Sequence, residues 1–138
     1  MPTASYVKYT AAVEPLVEGD NAGSATWKVA LASTVNVADA SFVSGTTDLA
    51  TSGGYTAGGN TATTSTSTQS AGTYKLVLSS PTAWTASGGG FTFRYAILYN
   101  STTNIPYGYW DYGSSQVVAA GETVTVTLDG TNGVFSVA

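Results

Sequence analysis

The sequence predicts an all-β protein, a single-domain antiparallel β-sandwich of jelly-roll-like type with about eight or nine short strands, with a closed barrel as the structural alternative. Three observations support this prediction. Short segments of alternating apolar and polar residues recur along the chain, Gly- and Ser-rich turns separate them, and no long helical pattern occurs. The length of 138 residues suits one domain with one hydrophobic core.

The clearest alternation lies in three segments. In residues 26–32, every second residue from Trp27 is large and apolar, and residues 73–79 repeat the pattern. Residues 91–100 form the best predicted strand, with Phe91, Phe93 and alternate residues after them on one face. The apolar faces predict the core residues Trp27, Leu76, Phe93, Ile97, Val126 and Phe135.

The C-terminal part of the chain predicts a closing hairpin. Residues 123–128 alternate Thr with Val or Leu, as a strand with one solvated face does. Residues 129–133 contain Asp, Asn and two Gly, which favour a turn into a final strand at residues 134–137. The shorter strand candidates are residues 6–10, 60–69, 84–86, 107–112 and 116–119.

Three segments depart from the strand pattern. Residues 37–49 lack a period of two, so we expect an irregular excursion anchored by Phe42. The Thr-rich centre of residues 51–72 has high β propensity and predicts an exposed edge strand, with partial disorder as the alternative. We expect residues 1–23 to form an extended N-terminal arm and residues 24–138 to form the sandwich domain.

The composition excludes several kinds of chemistry and partner. Histidine and cysteine are absent, so disulfides, thiolate metal sites and imidazole catalysis are excluded. Four Lys and Arg residues stand against eight Asp and Glu residues, for a net charge of −4. Binding to nucleic acid or to an anionic membrane surface needs clustered cations, so we expect neither partner. The apolar runs are too short to span a bilayer.

The carboxylates supply two weak candidates for a chemical site. Asp111 and Glu122 lie near aromatic strands, and paired carboxylates can hydrolyse glycosidic bonds. Glu14, Glu18, Asp20 and Asn21 form an acidic cluster whose oxygens could hold calcium, but their spacing matches no known calcium loop. Ordinary solvated positions account better for both sets, so we expect no enzymatic activity, no metal and no cofactor.

Residues 107–112 are the most informative local feature, because five of these six residues are aromatic or acidic. Alternation places Tyr107 and Tyr109 on one face of a strand and Trp110 on the other. If one face packs into the core, the other offers rings that can stack on sugars or anchor a protein interface. The alternative is that both faces are buried between sheets.

A family resemblance rests on three segments in the second half of the chain. Residues 91–100 (FTFRYAILYN), 106–113 (PYGYWDYG) and 133–137 (GVFSV) resemble the strands and turns of small structural proteins of tailed bacteriophages. The strand at 27–31 and the Gly-rich loop at 54–59 are similar to the same pattern. The resemblance covers most of the chain from residue 27 onward, but the Thr-rich stretch and the N-terminal arm have no match.

The resemblance implies a virion structural protein, specifically a capsid cement or decoration protein with a jelly-roll fold. Such a protein would lie on the outer surface of the capsid head and bridge and stabilise major capsid subunits. Its partners would be the major capsid protein and further copies of itself, as a homodimer or another homo-oligomer.

The alternative function is a carbohydrate-binding or receptor-binding module of a phage tail or fibre, with aromatic side chains as stacking platforms. Tyr6 and Val7 are apolar residues of the predicted N-terminal arm, where little of the domain is available to cover them. The predicted interface residues for either function are Tyr6, Val7, Tyr55, Tyr107, Tyr109 and Trp110.

Overall fold

The computed structural model describes residues 4–138, which contain ten strands and one short α-helix. A 3₁₀ turn at Thr10–Ala12 precedes the helix. The elements are β1 (Ser5–Lys8), α1 (Val13–Glu18), β2 (Trp27–Ala32), β3 (Asn60–Ala62), β4 (Thr64–Ser70), β5 (Thr73–Leu78), β6 (Trp84–Thr85), β7 (Phe91–Asn100), β8 (Ile105–Val118), β9 (Thr123–Val124) and β10 (Phe135–Val137).

The strands form two packed sheets and one small ribbon. The large sheet has the order β1-β8-β7-β2-β3, the small sheet has the order β10-β5-β4, and β6 pairs with β9. Every pairing is antiparallel. The predicted all-β, antiparallel sandwich is confirmed, and its jelly-roll topology stays a prediction.

Aromatic side chains fill the space between the two sheets. The ring of Trp27 lies 4.9 Å from that of Tyr107 and 6.0 Å from that of Phe135, and the last two rings stack at 5.8 Å. Five of the predicted core residues are buried, and Phe135 is partly buried against the same core. The buried five are Trp27, Leu76, Phe93, Ile97 and Val126.

An irregular segment, residues 33–59, covers part of the opposite face of the large sheet and includes residues 37–49, for which an irregular excursion was predicted. Phe42 is buried and stacks on Tyr99 with ring centroids 3.7 Å apart. The segment is tied together by the buried carboxylate of Asp48, which accepts hydrogen bonds from the Tyr55 hydroxyl and two backbone N–H groups. This packing makes the segment an ordered cover although it contains no strand or helix.

The sandwich is closed on one side and open on the other. Strands β3 and β4 are separated only by Thr63, so one continuous segment is the edge of both sheets. On the other side the edges are β1 and β10, and they do not pair with each other. The Thr-rich β4 lies at an edge with most of its side chains exposed, which confirms the predicted edge strand.

The N-terminal segment differs from the predicted extended arm at residues 1–23. The first three residues lie outside the described residues, and Ser5–Lys8 is a strand of the large sheet. The chain then turns into the 3₁₀ turn and α1, which pack on the sandwich. The prediction failed because the apolar residues of this segment become buried only against distant strands, which the local sequence does not show.

The predicted closing hairpin is also wrong. Residues 123–128 pair only at β9, with β6, and β10 pairs with the central strand β5. The turn at residues 129–133 therefore leads across the sandwich instead of back along the preceding strand. Residues 107–112 and 116–118 belong to one strand, β8, which ends before residue 119, and residues 60–69 fall in two strands, β3 and β4.

Candidate functional site

Helix α1 forms one wall of the candidate site. Val13, Leu16 and Val17 recur at the i, i+3 and i+4 spacing that produces an apolar stripe on a helix. Pro15 lies in the first turn, where its missing N–H has no intrahelical partner to lose. The helix ends at Gly19, whose φ of 131° departs from helical geometry and whose N–H donates to the carbonyl of Pro15 at 3.1 Å.

Strand β1 forms a second wall, and Tyr6 is its main side chain. The ring of Tyr6 lies directly over Gly108, because a Cβ added at that glycine would be 2.0 Å from Tyr6 Cζ. The ring of Trp110 meets Tyr6 edge-on, with centroids 5.2 Å apart. Burial raises the pKa of Tyr6, so the phenol is neutral at physiological pH.

Between α1, β1 and β10 lies an open groove of about 620 Å³, which we name the edge groove. Most of its lining is apolar, and three of its valines are strongly exposed: Val17 at 80%, Val137 at 47% and Val13 at 44%. Among the residues that the structure describes, Lys8 is the one charged residue of the lining. The lining residues are Tyr6, Lys8, Tyr9, Ala12, Val13, Leu16, Val17, Tyr107, Phe135, Ser136 and Val137.

A polar contact behind the groove fixes the end of α1 to the large sheet. The Tyr107 hydroxyl and the Asn100 side-chain amide both donate to the carboxylate of Asp20. Burial, followed by the hydrogen bond to Asp20, raises the pKa of Tyr107. The acidic cluster predicted as a calcium candidate therefore contributes one carboxylate to a structural contact.

The opposite face of the β1–β8 edge carries a second group of aromatic side chains. Val7 pairs with Tyr109 across the strands, and the Tyr109 ring meets Tyr9 at 5.9 Å and Tyr95 at 5.6 Å. Tyr109 and Tyr95 are half-buried, and Val7 is 40% exposed. We name Val7, Tyr95 and Tyr109 the outer aromatic patch.

An ion pair borders the outer aromatic patch. Arg94 donates from Nε and Nη2 to the two carboxylate oxygens of Asp111 at 2.8 and 3.0 Å, and its guanidinium lies 5.2 Å from the Tyr95 ring centroid. The hydrogen bond to Arg94 lowers the pKa of Asp111, and the same contact raises the pKa of Arg94. A fixed guanidinium beside half-exposed rings offers both stacking and directed hydrogen bonds to a ligand.

The six predicted interface residues fall into three groups. Tyr6 and Trp110 lie on the side of the large sheet that faces the edge groove, and Val7 and Tyr109 lie in the outer aromatic patch. Tyr55 and Tyr107 are buried, at 1% and 3% exposure, which corrects the prediction of exposed side chains at these positions, although Tyr107 contributes to the lining of the edge groove. Tyr55 instead holds the covering segment in place through Asp48.

The misplacement of Tyr107 has a local cause. Leu98 of β7 pairs with Gly108 of β8, and the next residue, Tyr99, pairs with Pro106. Tyr107 is therefore an extra residue between the two pairs. A bulge of this kind reverses the alternation beyond it. Tyr107 therefore turns inward to Trp27, whereas Tyr109 lies on the other face.

Sequence reasoning missed the groove residues contributed by α1 and β10. A helix of six residues is too short for a strong periodic signal. The spacing of Val13, Leu16 and Val17 before Gly19 was nevertheless a usable signal, because it combines an apolar stripe with a common C-terminal glycine. The exposure of Val137 could be found only from the pairing of β10.

The carboxylate candidates have local partners in the structure. Asp111 is bound by Arg94, and Glu122 accepts a hydrogen bond from the Ala119 N–H at 2.8 Å within a turn. Within residues 4–138, no group of three or more acidic side chains is arranged to hold a metal ion. The same residues contain no helix long and apolar enough to cross a membrane.

Comparison with known proteins identifies no relative: no protein-family model matches the chain, and searches of curated proteins and of solved structures find no significant match.

Proposed function

We propose that this chain is a virion structural protein of a tailed bacteriophage, a capsid cement or decoration protein. In this proposal it binds the outer surface of the capsid head and holds neighbouring major capsid subunits together. The proposal starts from the sequence resemblance of residues 91–137 to small phage structural proteins. The structure adds a surface with the properties that such a role requires.

The edge groove is the observation that carries the proposal. Exposed apolar groups that cluster at one place on a domain mark a surface that another molecule covers. The valines of α1 and β10 form such a cluster beside the open edges of both sheets. A partner could therefore insert apolar side chains into the groove and pair its backbone with β1.

The low charge of the groove favours an apolar surface of another protein as the partner over a strongly charged molecule. Lys8 is its one charged lining residue, and the described residues give it no ion pair. Many copies that each bury a modest apolar contact would stabilise a shell through their number, because each shell subunit is held at several points. This mechanism needs a rigid domain, which the two packed sheets supply.

The experiment measures binding of the purified protein to expanded, empty heads of the source phage by co-sedimentation. Copies per particle are counted for the wild type, for Val17→Asp in the groove, and for Val117→Asp as a matched control. Val117 is 75% exposed on β8 and lies outside the groove, so both variants add one charge at a similarly exposed valine. We expect hundreds of wild-type copies per head, about tenfold weaker binding for Val17→Asp and no change for the control.

The outcomes separate the function from the surface. Failure of the wild-type protein to bind heads would contradict the cement function. Binding by both variants at the wild-type level would retain the function but remove the groove as its contact. A heat-survival assay of particles with and without the protein then tests whether the bound copies stabilise the shell.

A second candidate function, carbohydrate or receptor binding on a tail or fibre, is favoured by the outer aromatic patch. Half-exposed tyrosine rings beside the Arg94–Asp111 pair offer a stacking surface and polar groups that could bind sugar hydroxyls. Trp110 and Tyr109 lie on opposite faces of β8, so they cannot belong to one platform. Glycan binding that is lost in Tyr109→Ala but kept in Trp110→Ala would support this function and locate the platform.

A further inference from the structure

We propose that two copies of this chain associate through the open edge of β4, antiparallel and centred on Ser67, to form a continuous sheet across the dimer. The purified protein alone can show this association, so the proposal does not depend on the proposed role on a capsid. It names a partner, a second copy of the chain, and the strand through which that partner binds.

The edge of β4 is the least protected edge of the sandwich. Natural sheets blunt their edges with charged residues, proline, short strands or bulges, because an open edge can pair with another strand. Strand β4 has seven residues, and the described edges β1, β3 and β10 have four, three and three. Residues 60–72 contain no charged residue and no proline, whereas β1 contains Lys8.

The hairpin that joins β4 to β5 determines which backbone groups face the open edge. Ala71 and Gly72 have φ values of 51° and 82°, so Ser70 and Thr73 flank a two-residue turn and form the first hydrogen-bonded pair. Ladder hydrogen bonds alternate along an antiparallel strand. The N–H and C=O groups of Thr66 and Thr68 therefore point to β5, and those of Ser67 point to the open edge.

The described residues provide no other partner for this edge. Strand β4 is the terminal strand of its sheet, and its pairing is with β5 alone. The bulge in β4 lies between Thr64 and Thr66, at the start of the strand, so residues 66–70 keep a regular register. A regular, unpaired edge of this length can accept a strand without rearrangement of the domain.

The sequence of β4 suits self-pairing about its central residue. When Ser67 lies on a two-fold axis opposite Ser67 of the second copy, Thr66 of each copy lies opposite Thr68 of the other. Threonine pairs across neighbouring strands are favourable, and both threonines are exposed on the outer face. The pairing is isologous, so it closes at two copies and leaves the edge groove of each copy free.

Charge does not oppose the pairing, although each chain carries a net charge of −4. The nearest charged side chain on the outer face is Lys75 of β5, which lies opposite Thr68. Three strand spacings, roughly 14 Å, would separate the two Lys75 residues in the paired sheet. That separation exceeds the Debye length at physiological ionic strength, so their repulsion is largely screened.

The first test measures the monomer–dimer equilibrium of the purified protein by sedimentation velocity. One short strand pair gives a small interface, so we expect a Kd of about 100 μM. In the double variant Thr66→Lys with Thr68→Lys, two pairs of like charges face each other across the axis, and we expect Kd to rise at least about tenfold. The matched control is Thr125→Lys with Thr127→Lys, two exposed threonines away from β4, which should leave Kd unchanged.

The second test uses the absence of cysteine in the chain. In the proposed register, Thr66 and Thr68 of opposite copies form a non-hydrogen-bonded pair, whose Cα atoms lie about 4.5 Å apart, within disulfide range. A mixture of the single variants Thr66→Cys and Thr68→Cys should therefore form mixed disulfide dimers faster than either variant alone. This test remains decisive if the lysine variant fails to fold.

Two results would overturn the proposal. The first is a protein that stays monomeric up to about 1 mM, or a dimer that the lysine pair does not weaken. The second is faster cross-linking of Thr66→Cys with itself than with Thr68→Cys, since that would indicate a parallel arrangement. Head binding that is normal in either case would leave the proposed cement function untouched.

Discussion

Removal of one hydroxyl, in Tyr55→Phe, tests how the segment 33–59 is held on the large sheet. The Tyr55 hydroxyl donates to Asp48 at 2.5 Å and accepts from the Leu31 N–H at 3.0 Å. Leu31 lies beyond the last residue of β2 that pairs with β3, so its buried N–H donates to the Tyr55 hydroxyl in place of a β3 carbonyl. The substitution removes both hydrogen bonds and keeps the aromatic ring.

The expected loss of stability follows from the two groups to which the hydroxyl is hydrogen-bonded. A buried N–H left without a partner costs about 1–3 kcal/mol, and the loss of a hydrogen bond to a charged group costs about 1.5–3 kcal/mol. Asp48 keeps the Gly45 and Gly58 N–H groups as donors, each at 2.6 Å, which limits the second cost. We expect Tyr55→Phe to lower the free energy of unfolding by about 3 kcal/mol.

Urea denaturation followed by tryptophan fluorescence measures this change, with the slope of the transition expected to stay constant. Tyr95→Phe is the matched control, because Tyr95 is half-exposed and its hydroxyl makes no hydrogen bond within the described residues. We expect the control to stay within about 0.5 kcal/mol of the wild type. A loss in Tyr55→Phe as small as that of the control would refute the role of the Asp48 contact.

Three further predictions concern glycines and a tyrosine of the sandwich. Gly59→Ala should destabilise the protein severely in thermal melts, because Gly59 has a φ of 70° and the new Cβ would lie 2.0 Å from a backbone oxygen of β2. The control is Gly72→Ala, which has a similar φ of 82° but open space around it and should cost only about 1 kcal/mol of stability. Gly108→Ala should push the Tyr6 ring out of place and weaken head binding with little change in far-ultraviolet circular dichroism, and wild-type binding would count against the edge groove. Burial raises the pKa of Tyr99 from 10.0 to about 12, so its contribution to stability is complete below pH 10 and is lost as the pH rises toward 12. Tyr99→Phe should therefore reduce the loss of stability at alkaline pH, which urea denaturation at each pH measures.

The sequence predicted best the strands whose alternation of apolar and polar residues can be recognised within a single segment. Strands β2, β5 and β7 each keep large apolar residues at every second position, and that alternation is sufficient to identify them as strands. Phe42 was identified as an anchor because it is the one aromatic residue of residues 37–49. These predictions needed no knowledge of which strands pair.

Predictions that depend on pairing failed for a physical reason. The pairing of β10 with β5 is a long-range contact that no turn signal encodes, since Asp129 and its neighbours fit a hairpin turn equally well. The burial of Tyr107 depends on a bulge, which changes register without a characteristic residue. The edge groove requires α1, β1 and β10 together, so its residues could be grouped only in three dimensions.

The unequal closure of the two sides of the sandwich has a consequence for its dynamics. On the side of β3 and β4, the sheets share one covalent segment, so separation there would require most of the domain to unfold. On the other side, β1 and α1 are held by one strand pairing, by the backbone hydrogen bonds of Tyr9 and Thr10, and by a few side-chain contacts. Residues 5–18 should therefore exchange amide hydrogens through local opening, well before global unfolding. A partner seated in the groove would slow that exchange selectively, which provides a readout of docking that needs no change to the sequence.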